Sequence, residues 1–188
     1  MSELQFIADE DLVIQYKDGN ELAFNELYSR YADKLKRLIY YYISNNDDID
    51  DIFHEVIIRV IKHINSFNIN KTFSSWIYQI AVNCSRNYVN KSNKKAKLIK
   101  QEALRVKQIE AQDSPEEKLI ADIDLKEFGN AIGALKDKFR EVFILRYNHR
   151  MKYSEISDIL SCSERTAKWR MKKAIENITY YLKDKDII

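Results

Sequence analysis

One proline and three glycines in 188 residues leave this chain almost without helix breakers. Strand-rich folds need turn chemistry at short intervals, and so little of it gives hairpins few places to form. The expectation is an all-α protein. Hydrophobic residues make up 45% of the chain, too many for a disordered polymer and enough to pack a core. The 31 basic and 29 acidic residues cancel to +2, so the total is silent about partners and local patterning has to decide.

Several function classes fall away early. The two cysteines, Cys84 and Cys162, are far apart, whereas a disulfide framework or zinc site needs more ligands at short spacing. His54-Glu55 opens the HExxH pattern of zinc proteases, but Ile58 stands where the second histidine is required. His63 and His149 have no ligand neighbours at useful spacing, and there is neither a nucleophile constellation nor a glycine-rich phosphate loop. The expectation is a protein with no enzymatic activity, no metal and no cofactor. No apolar run approaches the roughly 20 residues needed to span a bilayer, so no membrane insertion is expected. Met1 to Glu10 lacks a basic segment followed by an apolar one, which argues against a signal peptide. These features predict a soluble, reduced, cytoplasmic protein.

Apolar spacing divides the chain into two helical blocks. In the first, Asp9 or Asp11 caps a short helix that Asp18-Gly19-Asn20 ends. A long helix follows with Leu22, Phe24, Leu27, Tyr31, Leu35, Leu38, Ile39 and Tyr42 at three- and four-residue steps. After a polar break at Asn45-Asn46-Asp47, a third helix carries Ile52, Phe53, Val56, Ile57, Val60, Ile61 and Ile64. A loop from Phe67 to Thr72 leads to a fourth helix whose inner side is Phe73, Trp76, Ile77, Ile80, Ala81 and Cys84. From Lys91 the pattern weakens into a charged linker with room for helix in part, until Ser114 and Pro115 start the second block. Its helices cover Leu119 to Leu135, Asp137 to Tyr147, and one on each side of Ser161-Cys162-Ser163. The predicted architecture is two small helical domains, 9–92 and 114–184, joined by the linker 93–113.

The last two helices form a helix-turn-helix. Tyr153 to Leu160 is short and turns Ile156, Ile159 and Leu160 inward, and Ser163 caps the next helix. In that helix Ala167, Met171, Ala174, Ile175 and Ile178 make an apolar stripe. Arg165, Lys168, Trp169, Lys172 and Lys173 make a basic stripe on the far side. A short helix, a tight turn and a helix with an exposed basic face suit the DNA major groove. Arg165, Thr166 and Lys168 would sit deepest, with Lys172 and Lys173 on phosphates. The exposed Trp169 strengthens this over an ordinary solvated face, because exposing an indole is costly unless it contacts something.

Two further faces leave alternatives open. Gln79, Asn83, Arg86, Asn87 and Asn90 share the outer side of the fourth helix, with Lys91, Lys94 and Lys95 beyond. Amides donate and accept, which suits exposed base edges, but the same face also suits plain solvation. Asp47, Asp48, Asp50, Asp51 and Glu55 open the third helix, either as complement to its dipole or as an acidic patch for a basic protein.

Four segments in order resemble the sigma-70 superfamily, specifically its small extracytoplasmic-function sigma factors. They are Leu22 to Tyr28 followed by Tyr31, Asp48 to Val56, Phe73 to Asn83, and Arg140 to Tyr147 with Tyr153 to Ile156. The similarity spans roughly Asp9 to Lys95 and Ser114 to Tyr181. It implies a transcription initiation factor that binds core RNA polymerase, directs it to −35 and −10 promoter elements and assists melting. By the same resemblance Asp48, Asp51, His54 and Glu55 would contact polymerase. Asn83 with the loop Asn68, Ile69, Asn70, Lys71 and Thr72 would capture a flipped −10 base, and Arg86 and Asn87 would hold the adjacent strand. Arg146, Ser163, Arg165, Thr166, Lys168, Trp169, Arg170, Lys172 and Lys173 would engage the −35 duplex. An anti-sigma factor is a further partner that the resemblance admits. His54, Lys152, Ser161, Trp169 and Lys172 depart from the residues most common in the family. The competing reading is a helix-turn-helix regulator that never meets polymerase, which leaves the first block idle.

Overall fold

The computed structural model describes residues 3–43, 46–99, 122–185 and 187, the side chains of 3, 46, 92–99 and 122–126 excepted. Among these residues there are eight α-helices, two 3-10 turns and no strand. They fall into two compact units, the first four helices in one and the last four in the other.

The first unit holds α1 (Asp9–Lys17), α2 (Glu21–Tyr40), α3 (Asn46–His63) and α4 (Phe73–Ile99), with 3-10 turns at Glu3–Phe6 and Ile64–Ser66. Its core takes Leu12 and Val13 from α1, Leu27, Leu35, Leu38 and Ile39 from α2, Phe53, Val56 and Val60 from α3, and Phe73, Ile77 and Ala81 from α4. Each large side chain so buried contributes roughly 1.5–3 kcal/mol. An exposed ion pair contributes roughly 0–1 kcal/mol, so apolar packing sets where the helices lie.

Polar contacts then fix the ends. Arg30 of α2 donates to Asp9 Oδ1 (2.7 Å), to Glu26 Oε1 (2.8 Å) and to the carbonyls of Leu4, Gln5 and Ile7, which pins the N-terminal turn onto α2. The Tyr31 hydroxyl donates to the other Asp9 oxygen. Asp9 therefore does not cap α1; Ala8 occupies that position and Asp9 lies in the first turn. Lys17 Nζ donates to the Phe67 carbonyl (3.1 Å), tying the end of α1 to the chain after the second 3-10 turn.

The periodicity finds these helices but overreads some positions. Leu22 is 65% exposed and Ile61 44%, both expected inward. Conversely Tyr78, Val82 and Ser85 are buried beside the expected inner residues of α4, because α4 packs against α1, α2 and α3 together. It also runs to Ile99, past the expected boundary at 92. Residues 100–121, which include the rest of the expected linker and the Ser114-Pro115 start, lie outside the described residues.

The second unit holds α5 (Asp122–Gly133), α6 (Asp137–Tyr147), α7 (Tyr153–Leu160) and α8 (Glu164–Asp184). Ala131, Leu135, Phe139, Phe143, Ala174, Ile178 and Leu182 form one apolar cluster between α5, α6 and α8. Ala167 and Ala174 are fully buried and small, which lets α8 approach its neighbours closely. Ile175, expected in that stripe, is instead 50% exposed. Ile156, Ile159 and Leu160 close the core from α7.

Candidate nucleic-acid and polymerase interfaces

The turn between α7 and α8 is built by two serines. Ser161 ends α7 in the left-handed region (φ 50°, ψ 52°), where glycine would be unstrained. Ser163 then caps α8: its Oγ accepts the Thr166 N–H at 3.1 Å and shares a 2.8 Å hydrogen bond with the Thr166 hydroxyl. At the start of α7 the Lys152 side chain has no acceptor and caps nothing. Glu155 acts alone, taking the Lys152 N–H at 2.7 Å.

This geometry brings the expected basic stripe together on the outer face of α8. Arg165, Lys168, Trp169 and Lys172 are exposed, while Ser163 and Thr166 stand at the helix start. Arg170 and Lys173 are half-buried on the flank. Lys173 pairs with Glu176 at 2.7 Å, and this contact, with Lys172 nearby, holds the Glu176 carboxyl below the usual range. Trp169 remains 48% exposed, but its ring meets Phe139 of α6 edge-on at 5.8 Å, with Lys138 Nζ 6.0 Å from the indole. Part of the cost of exposing it is thus met inside the unit, and Lys138 joins the basic surface from a helix whose apolar pattern gave it no role. Arg146 lies at the end of α6, where it donates to the Met151 carbonyl at 2.6 Å and meets the Tyr153 ring.

In the first unit the loop 68–72 is exposed throughout and shaped by its own side chains. Asn68 Oδ1 accepts the Asn70 N–H (3.0 Å), and the Asn68 carbonyl accepts the Lys71 N–H (3.0 Å). The Thr72 hydroxyl donates to Ser75 Oγ (2.8 Å), while Glu10 of α1 takes the Phe73 N–H at 2.7 Å and so caps α4 from another helix. Asn83 and Asn87 are exposed and Arg86 is half-buried with contacts of its own. With a rise of about 1.5 Å per residue, Asn83 stands on the order of 15 Å along α4 from its start. The loop and Asn83 therefore offer separated contact points.

The acidic cluster on α3 divides in two. Asp48 binds the Tyr88 hydroxyl of α4; burial and that bond push the phenol above its ordinary value. Asp50 pairs with Lys36 of α2 at 2.7 Å, which holds its carboxyl below the usual range. Asp51 and His54 face outward, and Glu55 pairs with Arg59 at 2.5 Å on a surface position. Ile58 (51% exposed) and Ile61 (44%) continue the line of Asp51 and His54 at three- and four-residue steps. Apolar spacing counts Ile61 with the core and leaves Ile58 out, so only the exposure of the two side chains reveals this continuation. Among the described residues no group of three or more His, Cys, Asp or Glu side chains could hold a metal. Nor is any described helix long and apolar enough to cross a membrane.

Two separate helical units, the second a helix-turn-helix with a basic outer face, define a bipartite helical DNA-binding protein. The Sigma-70 region 2 family matches residues 27–95 and the Sigma-70 region 4 family matches residues 125–178. Among curated relatives, the ECF RNA polymerase sigma factor SigW of Bacillus subtilis is 31% identical over 90% of this chain and 94% of its own length. The ECF RNA polymerase sigma-E factor of Escherichia coli is 28% identical, covering 92% of this chain and 93% of its own. Among solved structures, the sigma factor RpoE of Bartonella quintana, in complex with the anti-sigma factor NepR, superposes with a TM-score of 0.69. It is 19% identical and covers 85% of this chain and 96% of its own. The chain belongs to the sigma-70 family, as one of its extracytoplasmic-function (ECF) RNA polymerase sigma factors.

Proposed function

We propose that this transcription initiation factor works through three surfaces. The outer face of α3, with Asp51, His54, Glu55, Ile58 and Ile61, docks on core polymerase; Asp48 supports that face from behind through Tyr88. The loop 68–72 and the outer side of α4, with Asn83, Arg86 and Asn87, take the displaced −10 strand at successive points. The basic face of α8, from Ser163 to Lys173, enters the major groove of the −35 duplex. The chain performs no catalysis itself and acts in the cytoplasm, where polymerase and promoter are. An anti-sigma factor would silence it by covering these faces; RpoE, whose fold is similar, is itself found in complex with the anti-sigma factor NepR.

The observation that carries this reading is that one chain bears two polar helix faces on two separately packed units. A regulator independent of polymerase uses only the second. Duplex binding by α8 positions the complex, while the amide-rich face of α4 favours strands already open. Unstacking a base costs a few kcal/mol, least where the duplex is breathing, and capture of the exposed base offsets it. Asn83→Ala should therefore impair promoter opening, read by permanganate reactivity of unpaired thymines, while retention of core polymerase in a pull-down stays near wild type. Equal loss in both assays would remove Asn83 from the strand-binding surface.

A further inference from the structure

The loop 68–72 is held at both ends by one helix. At its start the Phe67 carbonyl accepts from Lys17 Nζ at 3.1 Å, and at its end the Phe73 N–H donates to Glu10 Oε1 at 2.7 Å. Both bonds are charge-assisted, and so stronger than neutral ones. Glu10 and Lys17 stand two turns apart on the same side of α1, about 10 Å along its axis. α1 is itself fixed: Leu12 and Val13 are fully buried, and Asp9 is bound by Arg30 and Tyr31. Between the anchors the buried rings of Phe67 and Phe73 meet edge-on at 5.7 Å and close the base of the loop. Within it, Asn68 takes the Asn70 N–H on its side chain and the Lys71 N–H on its carbonyl, leaving Ile69, Asn70 and Lys71 exposed. These local bonds set the shape of the loop. Its place on the unit is set from α1.

We propose that α1 is a clamp that places this loop for the displaced −10 strand, with Glu10 and Lys17 as positioning residues that touch no DNA themselves. The proposal rests on the loop being a strand-binding surface. A loop already in its bound shape and place loses less freedom on binding, so more of the contact energy appears as affinity. Fixed ends also hold the loop side chains at one spacing, and discrimination between bases depends on contacts placed to within a fraction of an ångström. Loosened ends would let the loop follow whatever base it met.

The test uses the full chain assembled with its core polymerase and a fork probe, a −35 duplex whose non-template −10 strand is left single. The probe is taken from a promoter that the wild-type holoenzyme opens, and each −10 base is replaced in turn by an abasic site. The wild type should lose most binding where the loop holds a base. Glu10→Ala and Lys17→Met should each weaken the intact probe by about fivefold, and removal of that same base should then cost them little more. Glu10→Gln and Lys17→Arg, which keep an acceptor and a donor, should retain most of the wild-type pattern, and all four should hold core polymerase in a pull-down. A merely structural defect would lower the active fraction and leave the base-by-base pattern as it was. That unchanged pattern in either Glu10→Ala or Lys17→Met would overturn the clamp and leave the role of the loop standing. Should Glu10→Ala fail to fold, Lys17→Met decides alone, because Lys17 bonds a loop carbonyl and caps no helix. If Ile69→Ala, Asn70→Ala and Lys71→Ala all bind every probe as the wild type does, the reading of the loop itself fails.

Discussion

Ser161 places the sharpest backbone demand on the helix-turn-helix, because its φ of 50° belongs to the region that L side chains avoid. The conformation costs a non-glycine residue about 1–2 kcal/mol, and glycine gives back part of that gain through its freer unfolded chain. Ser161→Gly should therefore stabilise the unit by roughly 0.5–1 kcal/mol, seen as a higher urea midpoint with an unchanged slope. An unchanged or lower midpoint would mean that the serine is held there by something stronger than the strain. The sequence marks this position as a turn, since Ser161-Cys162-Ser163 interrupts two apolar patterns, but not the sign of its φ. Arg30 shows the opposite case. Its five hydrogen bonds to residues 4–26 organise the N-terminal turn, yet one arginine on a helix surface carries no mark of them in the sequence.

Helix ends are held by two kinds of contact, and only one of them is local. The limits of α6 and α7 agree with those expected from apolar spacing, and Ser163 caps α8 from within its own segment. The cap of α4 comes instead from Glu10, 63 residues away, through a charge-assisted bond to the Phe73 N–H. Such bonds are stronger than neutral ones, and a lost cap costs about 0.5–2 kcal/mol. Glu10→Ala should destabilise the first unit by about 1–2 kcal/mol, with Glu10→Gln retaining part of it. Chemical denaturation checks this, and equal stability of all three proteins would deny the cap any weight. The same distinction explains what was legible. Apolar periodicity located α2, α3, α4 and α8, but it cannot know that α4 is enclosed by three neighbours, so Tyr78, Val82 and Ser85 escaped it. It also assigns Leu22, Ile61 and Ile175 to the core, although all three are exposed. The exposed stripe of α3 was half read: its acids stood out as charge, whereas Ile58 and Ile61 look like core until the burial is known.

At the scale of the whole molecule the two units should respond differently to alkali. The acids that burial pushes upward, Tyr31, Tyr41, Tyr78, Tyr88 and Cys84, all belong to the first unit. Desolvation disfavours their charged forms, and the Cys84 thiol rises from 9.0 to about 11. Each is an acid that keeps its proton in the folded protein at a pH where the unfolded chain has lost it. The stability this confers is complete below the unfolded value and lost as pH climbs towards the folded one. For Cys84 that window runs from 9.0 to about 11, and the tyrosines begin to add from 10.0 upward. The two tryptophans, Trp76 in the first unit and Trp169 in the second, separate the responses: Trp169→Phe leaves only the first visible, Trp76→Phe only the second. Between pH 8 and about pH 10 the urea midpoint reported by Trp76 should fall by the equivalent of about 2 kcal/mol, well beyond the fall reported by Trp169. A thiol reagent at neutral pH should meanwhile label the half-buried Cys162 readily and Cys84 only as the first unit opens. Parallel falls at both tryptophans, or labelling of Cys84 in the folded protein, would show that the ionisable groups buried in α2 and α4 do not govern the alkaline limit.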